Sequence, residues 1–213
     1  MKEKFQYRSL DAEFQADKDS RRIHGLAIPV NVRSAFIHDF DGDYYEIILP
    51  SAVNEDLINN NDIKIYLDHD PQQGTFARSK YGKGSLELEV TERGLEFSFD
   101  APKSVFGDAL LEGIARGDYD KVSFAFMPDN EKWDLDEDKN YLHYILSFKK
   151  LAEISILSLA PAFESTEVDL RSLEDFKKEQ EEKERKYQES LNKLDEATDK
   201  LNNLYNKYLD IAY

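Results

Sequence analysis

Two hydrophobic periods divide the chain. Up to about residue 170 apolar positions mostly alternate with polar ones, the two-residue period of half-buried strands. The clearest instance is SLELEV, where Leu86, Leu88 and Val90 alternate, followed by TERG with Gly94 and then LEFSFD, where Leu95, Phe97 and Phe99 alternate again. That is the pattern of a β-hairpin. RRIHGLAIPV, YYEIILP, DIKIYLDH, KVSFAFMP, YLHYILSFKK and LAEISILSL read as further strands, separated by turn-rich or acidic stretches such as DFDGD and DNEKWDLDEDKN. Two pieces read as helices: SAVNEDLINN, and SVFGDALLEGIARGD with Ser104 as N-cap, Gly117 as C-cap and Val105, Ala109 and Ile114 along one face. The expectation is a mainly β fold with helices (α+β), with enough strands for a barrel or sandwich.

From Ser172 onward the chain contains no glycine or proline and is dominated by helix formers, which predicts one long helix. Leu173, Gln180, Tyr187, Leu194, Leu201 and Tyr208 recur every seven residues, and Phe176, Leu191, Ala197 and Leu204 fill intermediate positions imperfectly. Such a seam suits a coiled coil or a docking helix; a helix folded onto the sheet or a solvated tail accounts for it equally. The division is therefore a β-rich domain over residues 1–171 and a charged helical tail over 172–213.

Composition narrows the function classes. With 213 residues, 40% hydrophobic and 12% aromatic, the chain supports one sizeable core plus an appendage. A net charge of -16 leaves no basic surplus for phosphates, which argues against nucleic acid or an anionic membrane as main partner. The absence of cysteine excludes disulfides, thiolate nucleophiles and cysteine zinc sites. The first 22 residues carry no apolar run suited to a signal peptide, and no window approaches the roughly 18 apolar residues of a membrane span, so a cytoplasmic protein is expected.

Candidate chemistry is sparse. The histidines are His24, His38, His69 and His143. His69 follows Ile63, Ile65 and Leu67 in phase, which predicts a ring near the face those residues cover, with carboxylates on either side. A strand-end histidine in an acidic loop is the plainer reading. Ser123 alternates with Val122, Phe124 and Phe126 and so points away from their face, but without a base a hydroxyl is a poor nucleophile. Glu153, amid Leu151, Ala152, Ile154 and Ile156, needs a donor if buried. A histidine is one such donor, and Ser, His and Glu within reach of one another make an acyl-transfer site. Asp39, Asp41 and Asp43 alternate as calcium ligands do, but Gly42 is misplaced for an EF-hand loop and further ligands are missing, so no metal is expected.

The succession LDHDP, hairpin, helix ending IARGDYDKVSFAF, and LAEISILSLAPAFESTEVDLR resembles the prohead maturation proteases of tailed bacteriophages, whose fold is similar to that of herpesvirus capsid-assembly proteases. The similarity spans roughly residues 20–171 and includes HGLAIPV and YYEIILPSAV. The family's histidine followed by aspartate is matched by His69 and Asp70, and its serine followed by aromatic residues by Ser123 with Phe124 and Phe126. Its glutamate before a small hydrophobic and serine, near a proline with an aromatic two residues on, is matched by Glu153, Ser155, Pro161 and Phe163. Ala125 departs from the glycine common at that position.

The resemblance implies a closed or nearly closed antiparallel β-barrel followed by the long helix. It implies a serine endopeptidase that needs no cofactor, with Ser123 as nucleophile, His69 as base and Glu153 as third member, a position filled by a second histidine in herpesvirus relatives. Arg78 matches a family arginine and is a candidate for substrate or oxyanion contact. The implied partners are the phage major capsid protein with its scaffolding segment, and further copies of the chain through the helix. The implied place is the host cytoplasm, inside the immature prohead. A non-enzymatic internal scaffold with the same fold is the alternative, and a plain binding module a further one.

Overall fold

A computed structural model describes residues 5–11, 15–17, 20–38, 42–158 and 171–212. The chain separates into two compact units, Met1–Val168 and Asp169–Tyr213. In the first, the strands are β1 (Gln6–Asp11), β2 (Gln15–Ala16), β3 (Arg22–Pro29), β4 (Tyr44–Ile48), β5 (Asp62–Leu67), β6 (Ala77–Lys80), β7 (Leu86–Thr91), β8 (Gly94–Asp100), β9 (Lys121–Leu135) and β10 (Tyr141–Leu157). The helices are α1 (Glu55–Asn59) and α2 (Val105–Arg116), and the second unit is α3 (Arg171–Ala212).

The strands form two sheets. One runs β1-β9-β10-β5-β6, with β4 also on β10; the other runs β2-β3-β8-β7. Their apolar faces share one core: Ile23 and Ile28 from β3 and Leu95, Phe97 and Phe99 from β8 join Ile63, Ile65, Val122, Phe124, Phe126, Ile154 and Ile156 from the larger sheet. Each such large side chain contributes about 1.5–3 kcal/mol by leaving water. The β7–β8 hairpin forms as its alternation predicts, and Gly94 is required there because at φ +135° a Cβ would lie 1.9 Å from the Ile28 carbonyl oxygen.

Three features differ from the expectation. The pairing is mixed: β4 and β5 both lie parallel to β10, one beside Tyr141–Ile145 and the other beside Glu153–Ile156, and no closed barrel is found among the described residues. Alternation gives a strand's faces, not its partner or direction, so this was not legible in the period. YLHYILSFKK and LAEISILSL are one 17-residue strand, kept continuous through β-bulges between Ile145 and Glu153. Likewise β9 runs on through NEKWDL, which pairs with β10. Finally, α2 has Ser104 and Gly117 as its caps but packs through Gly107, Leu110, Leu111 and Ile114, leaving Val105 82% exposed. Gly107 sits so close to the Pro102 carbonyl that no side chain fits, which fixes the buried face.

The tail is one 42-residue helix. Among its described side chains, Tyr187, Leu191 and Leu194 are exposed within a surface of charged i,i+4 pairs such as Lys183–Glu179 and Lys186–Glu182. The heptad side chains at Leu173, Ala197, Leu201, Leu204 and Tyr208 lie outside the described residues, as do Asp39, Asp41, Pro161 and Phe163. No described helix is long and apolar enough to cross a membrane.

Candidate active site

Three neighbouring strands supply the site, and two irregularities aim it. Val122, Phe124 and Phe126 belong to the core, so plain alternation along β9 turns Ser123 to the opposite, outer face. Ser123 pairs with Ser9 on β1 and with Ser155 on β10, and it is fully buried.

Glu153 reaches that face through a bulge. Leu151 is a core residue paired with Phe126, and strict alternation would put residue 153 on the same side. The register slips between Leu151 and Glu153, so that Glu153 pairs with Ala125 and faces outward while Ile154 and Ile156 return to the core. Ala125, where the family commonly has glycine, is thus buried between Glu153 and Tyr7 in the pairing.

His69 arrives by a turn, and here the phase expectation fails. Ile63 and Ile65 are core residues and Leu67 packs against them, so continued alternation would send His69 inward. Instead β5 ends at Leu67, and Asp68 and His69 take φ of 51° and 58°, with the Asp70 N–H donating to the Leu67 carbonyl at 3.0 Å. Two successive positive-φ residues are the mark of a type I′ turn. They cost on the order of 1–3 kcal/mol each outside glycine, so the surroundings must hold them. The turn swings the imidazole over the outer face.

There the three side chains form a continuous hydrogen-bonded chain. His69 Nε2 lies 2.9 Å from Ser123 Oγ and Nδ1 lies 2.5 Å from Glu153 Oε1. With Nδ1–H donating to the carboxylate, Nε2 is free to accept the serine proton. Ser155 Oγ donates to the same Glu153 oxygen at 3.2 Å, holding the carboxylate from beneath. The Tyr7 ring stands edge-on to the imidazole at 5.0 Å; partial burial, then the Glu153 charge, raises its phenol pKa.

Arg78 is not brought to this cluster. It lies on β6, three strands from β9 and so about 14 Å away at the usual ~4.8 Å spacing, and its guanidinium forms a bidentate pair with Asp62, both contacts 2.6 Å. In the sequence, Ser155 is named only as part of the Glu153 motif and Asp68 only as one of the carboxylates flanking His69, without their contacts, and Tyr7 is missed, because its place beside the imidazole depends on the β1–β9 pairing.

A chain of hydroxyl, imidazole and carboxylate is the arrangement of nucleophilic acyl transfer. The family model described as caudovirus prohead serine protease matches residues 5–179, which include all three residues. The chain belongs to that family. It is a serine protease of phage capsid maturation. Among solved structures, the bacteriophage T4 capsid assembly protease gp21 is similar to this prohead protease at 11% identity and a TM-score of 0.42, covering 72% of this chain and 98% of that one. No curated protein matches it.

Proposed function

We propose that Ser123 is the nucleophile of this prohead protease, His69 its general base and Glu153 the group that orients and charge-balances His69. The observation that carries the reading is the unbroken Ser123–His69–Glu153 hydrogen-bond chain. Ser123 Oγ attacks the peptide carbonyl carbon while its proton passes to His69 Nε2, and Glu153 stabilises the imidazolium. Collapse of the tetrahedral intermediate breaks the C–N bond, and the imidazolium returns the proton to the leaving amine. Water then hydrolyses the acyl-enzyme, with His69 again as base.

The substrates in this reading are scaffold or capsid-protein N-terminal segments, and the protease itself, inside the immature prohead in the host cytoplasm. The exposed Tyr187, Leu191 and Leu194 on α3 suit docking to the capsid protein's scaffolding segment or pairing with a second copy. Closure of both sheets into one barrel, as in herpesvirus assembly proteases, belongs to the same reading and is supported by their common core. Family membership favours an enzyme over a non-enzymatic scaffold.

The test is mass spectrometry of the purified chain and its Ser123→Ala variant, each incubated alone and with the capsid protein encoded beside it. Fragments of capsid protein and of the chain itself are expected with wild type and not with the variant. Intact capsid protein in both would overturn the substrate assignment.

A further inference from the structure

The turn that presents His69 is fastened at one point that the triad does not use. Asp68, the residue before the base, bridges from the end of β5 to the end of β10: its Oδ1 accepts from the Ser158 backbone N–H at 2.7 Å and its Oδ2 from the Ser158 hydroxyl at 2.5 Å. Its own N–H donates to the Ile156 carbonyl at 2.9 Å. Three bonds thus tie one residue to the strand that carries Glu153 five positions earlier.

We propose that Asp68 is the positioning residue of the catalytic base. It holds the left-handed turn shut against β10, so that His69 meets Ser123 and Glu153 on the outer face. Three observations converge on this. Asp68 and His69 both sit at positive φ, where aspartate is tolerated because its short carboxylate bonds locally and histidine is held only by its context. Without the turn, the parity of β5 sends residue 69 to the core face, the wrong side of the sheet for Ser123. And both carboxylate oxygens of Asp68 are spent on Ser158, so the contact has the two-point geometry of a clamp. On the other side, Asp70 steadies the turn's exit by accepting from the Gln72 N–H at 2.8 Å. The turn is therefore held to the β10 chain at two places, through His69 on Glu153 and through Asp68 on Ser158.

The inference rests on the reading of His69 as the base of Ser123, and the experiment separates the two. Purified full-length chains are reacted with a fluorophosphonate, which forms a phosphonyl ester with an activated serine and releases fluoride, and the rate at Ser123 is read by peptide mapping. In parallel, the downfield proton resonance of His69 Nδ1–H bonded to Glu153 is recorded, a signal that mere loss of fold stability in a still-folded chain does not move. Asp68→Ala should slow labelling by about 10- to 100-fold, the scale expected when a reacting group is misplaced by about an ångström, and shift or broaden the resonance. Asp68→Asn tolerates positive φ and keeps one acceptor, and should recover most of the rate. Asp68→Gly restores conformational freedom without the clamp and should stay slow. Ser158→Ala, which leaves the backbone N–H in place, should give a smaller loss; it and Asp68→Gly carry the test if the alanine variant at 68 fails to fold. Labelling by Asp68→Gly and Ser158→Ala at the parent rate with an unmoved resonance would overturn the clamp. A parent chain left unlabelled at Ser123 would instead overturn the assignment of nucleophile and base.

Discussion

A serine hydroxyl attacks a peptide only if its proton has somewhere to go, and at Ser123 the acceptor is a single imidazole nitrogen at 2.9 Å. The other nitrogen is committed to Glu153, which fixes the tautomer. Glu153→Gln tests this pairing, since an amide keeps the size but neither balances the imidazolium nor enforces the tautomer. The peptide-cleavage rate should fall by roughly 10⁴-fold with the fold retained, as judged by circular dichroism. The direction of Ser123 was readable from plain alternation and the need of Glu153 for a donor from its apolar neighbours, while the grouping of the two with His69 came from the family resemblance. The route of His69 to the site was not readable, because alternation places it on the core side and only two left-handed residues reverse that.

At the scale of elements, regular strands build the core while departures from regularity build the site. The β7–β8 hairpin and the caps of α2 follow from local chemistry: period two around a short turn, a serine before the helix and a left-handed glycine after it. Those are legible in sequence because the cause lies within a few residues. The length of β10 and its parallel neighbours are not, because they depend on segments far apart in the chain. Asn61, for instance, accepts from the Leu151 N–H across the bulged stretch, and Leu49 donates to the Ile145 carbonyl. The same bulges that join two apparent strands into one also turn Glu153 outward, so missing them in sequence meant missing how the acid reaches its base. Likewise the buried face of α2 is set by Gly107, which the apolar period passes over.

Across the whole β-rich unit, a second buried polar cluster ties the N-terminal strand to the body. Arg8 on β1 makes two 2.6 Å contacts to Glu46, which is itself bonded to the fully buried His143, and Glu131 bonds the other ring nitrogen. Trp133 stacks on that imidazole at 4.2 Å. Burial alone would raise the Glu46 pKa, but the Arg8 charge and bonds from His143 and Arg8 bring it to about 2. Burial likewise opposes protonation of His143, yet its bonds to Glu131 and Glu46 leave its pKa above the ordinary value of 6.5. The signs follow by linkage. Stability from Glu46 is present above its ordinary pKa near 4.5 and is lost as pH falls toward 2, while that from His143 is full below 6.5 and is lost as pH rises through its raised value. Urea unfolding should therefore place maximal stability between about pH 4.5 and 6.5, and Glu46→Gln should flatten the acid limb. An acid limb unchanged by Glu46→Gln would contradict this.

The proposed mechanism requires Ser123 to be an activated nucleophile. Fluorophosphonate capture followed by peptide mapping tests it most directly, because the adduct names the serine. A single adduct at Ser123 is expected in the wild-type chain and none in His69→Ala. An adduct at another serine, or equal labelling of Ser123 with and without His69, would contradict it.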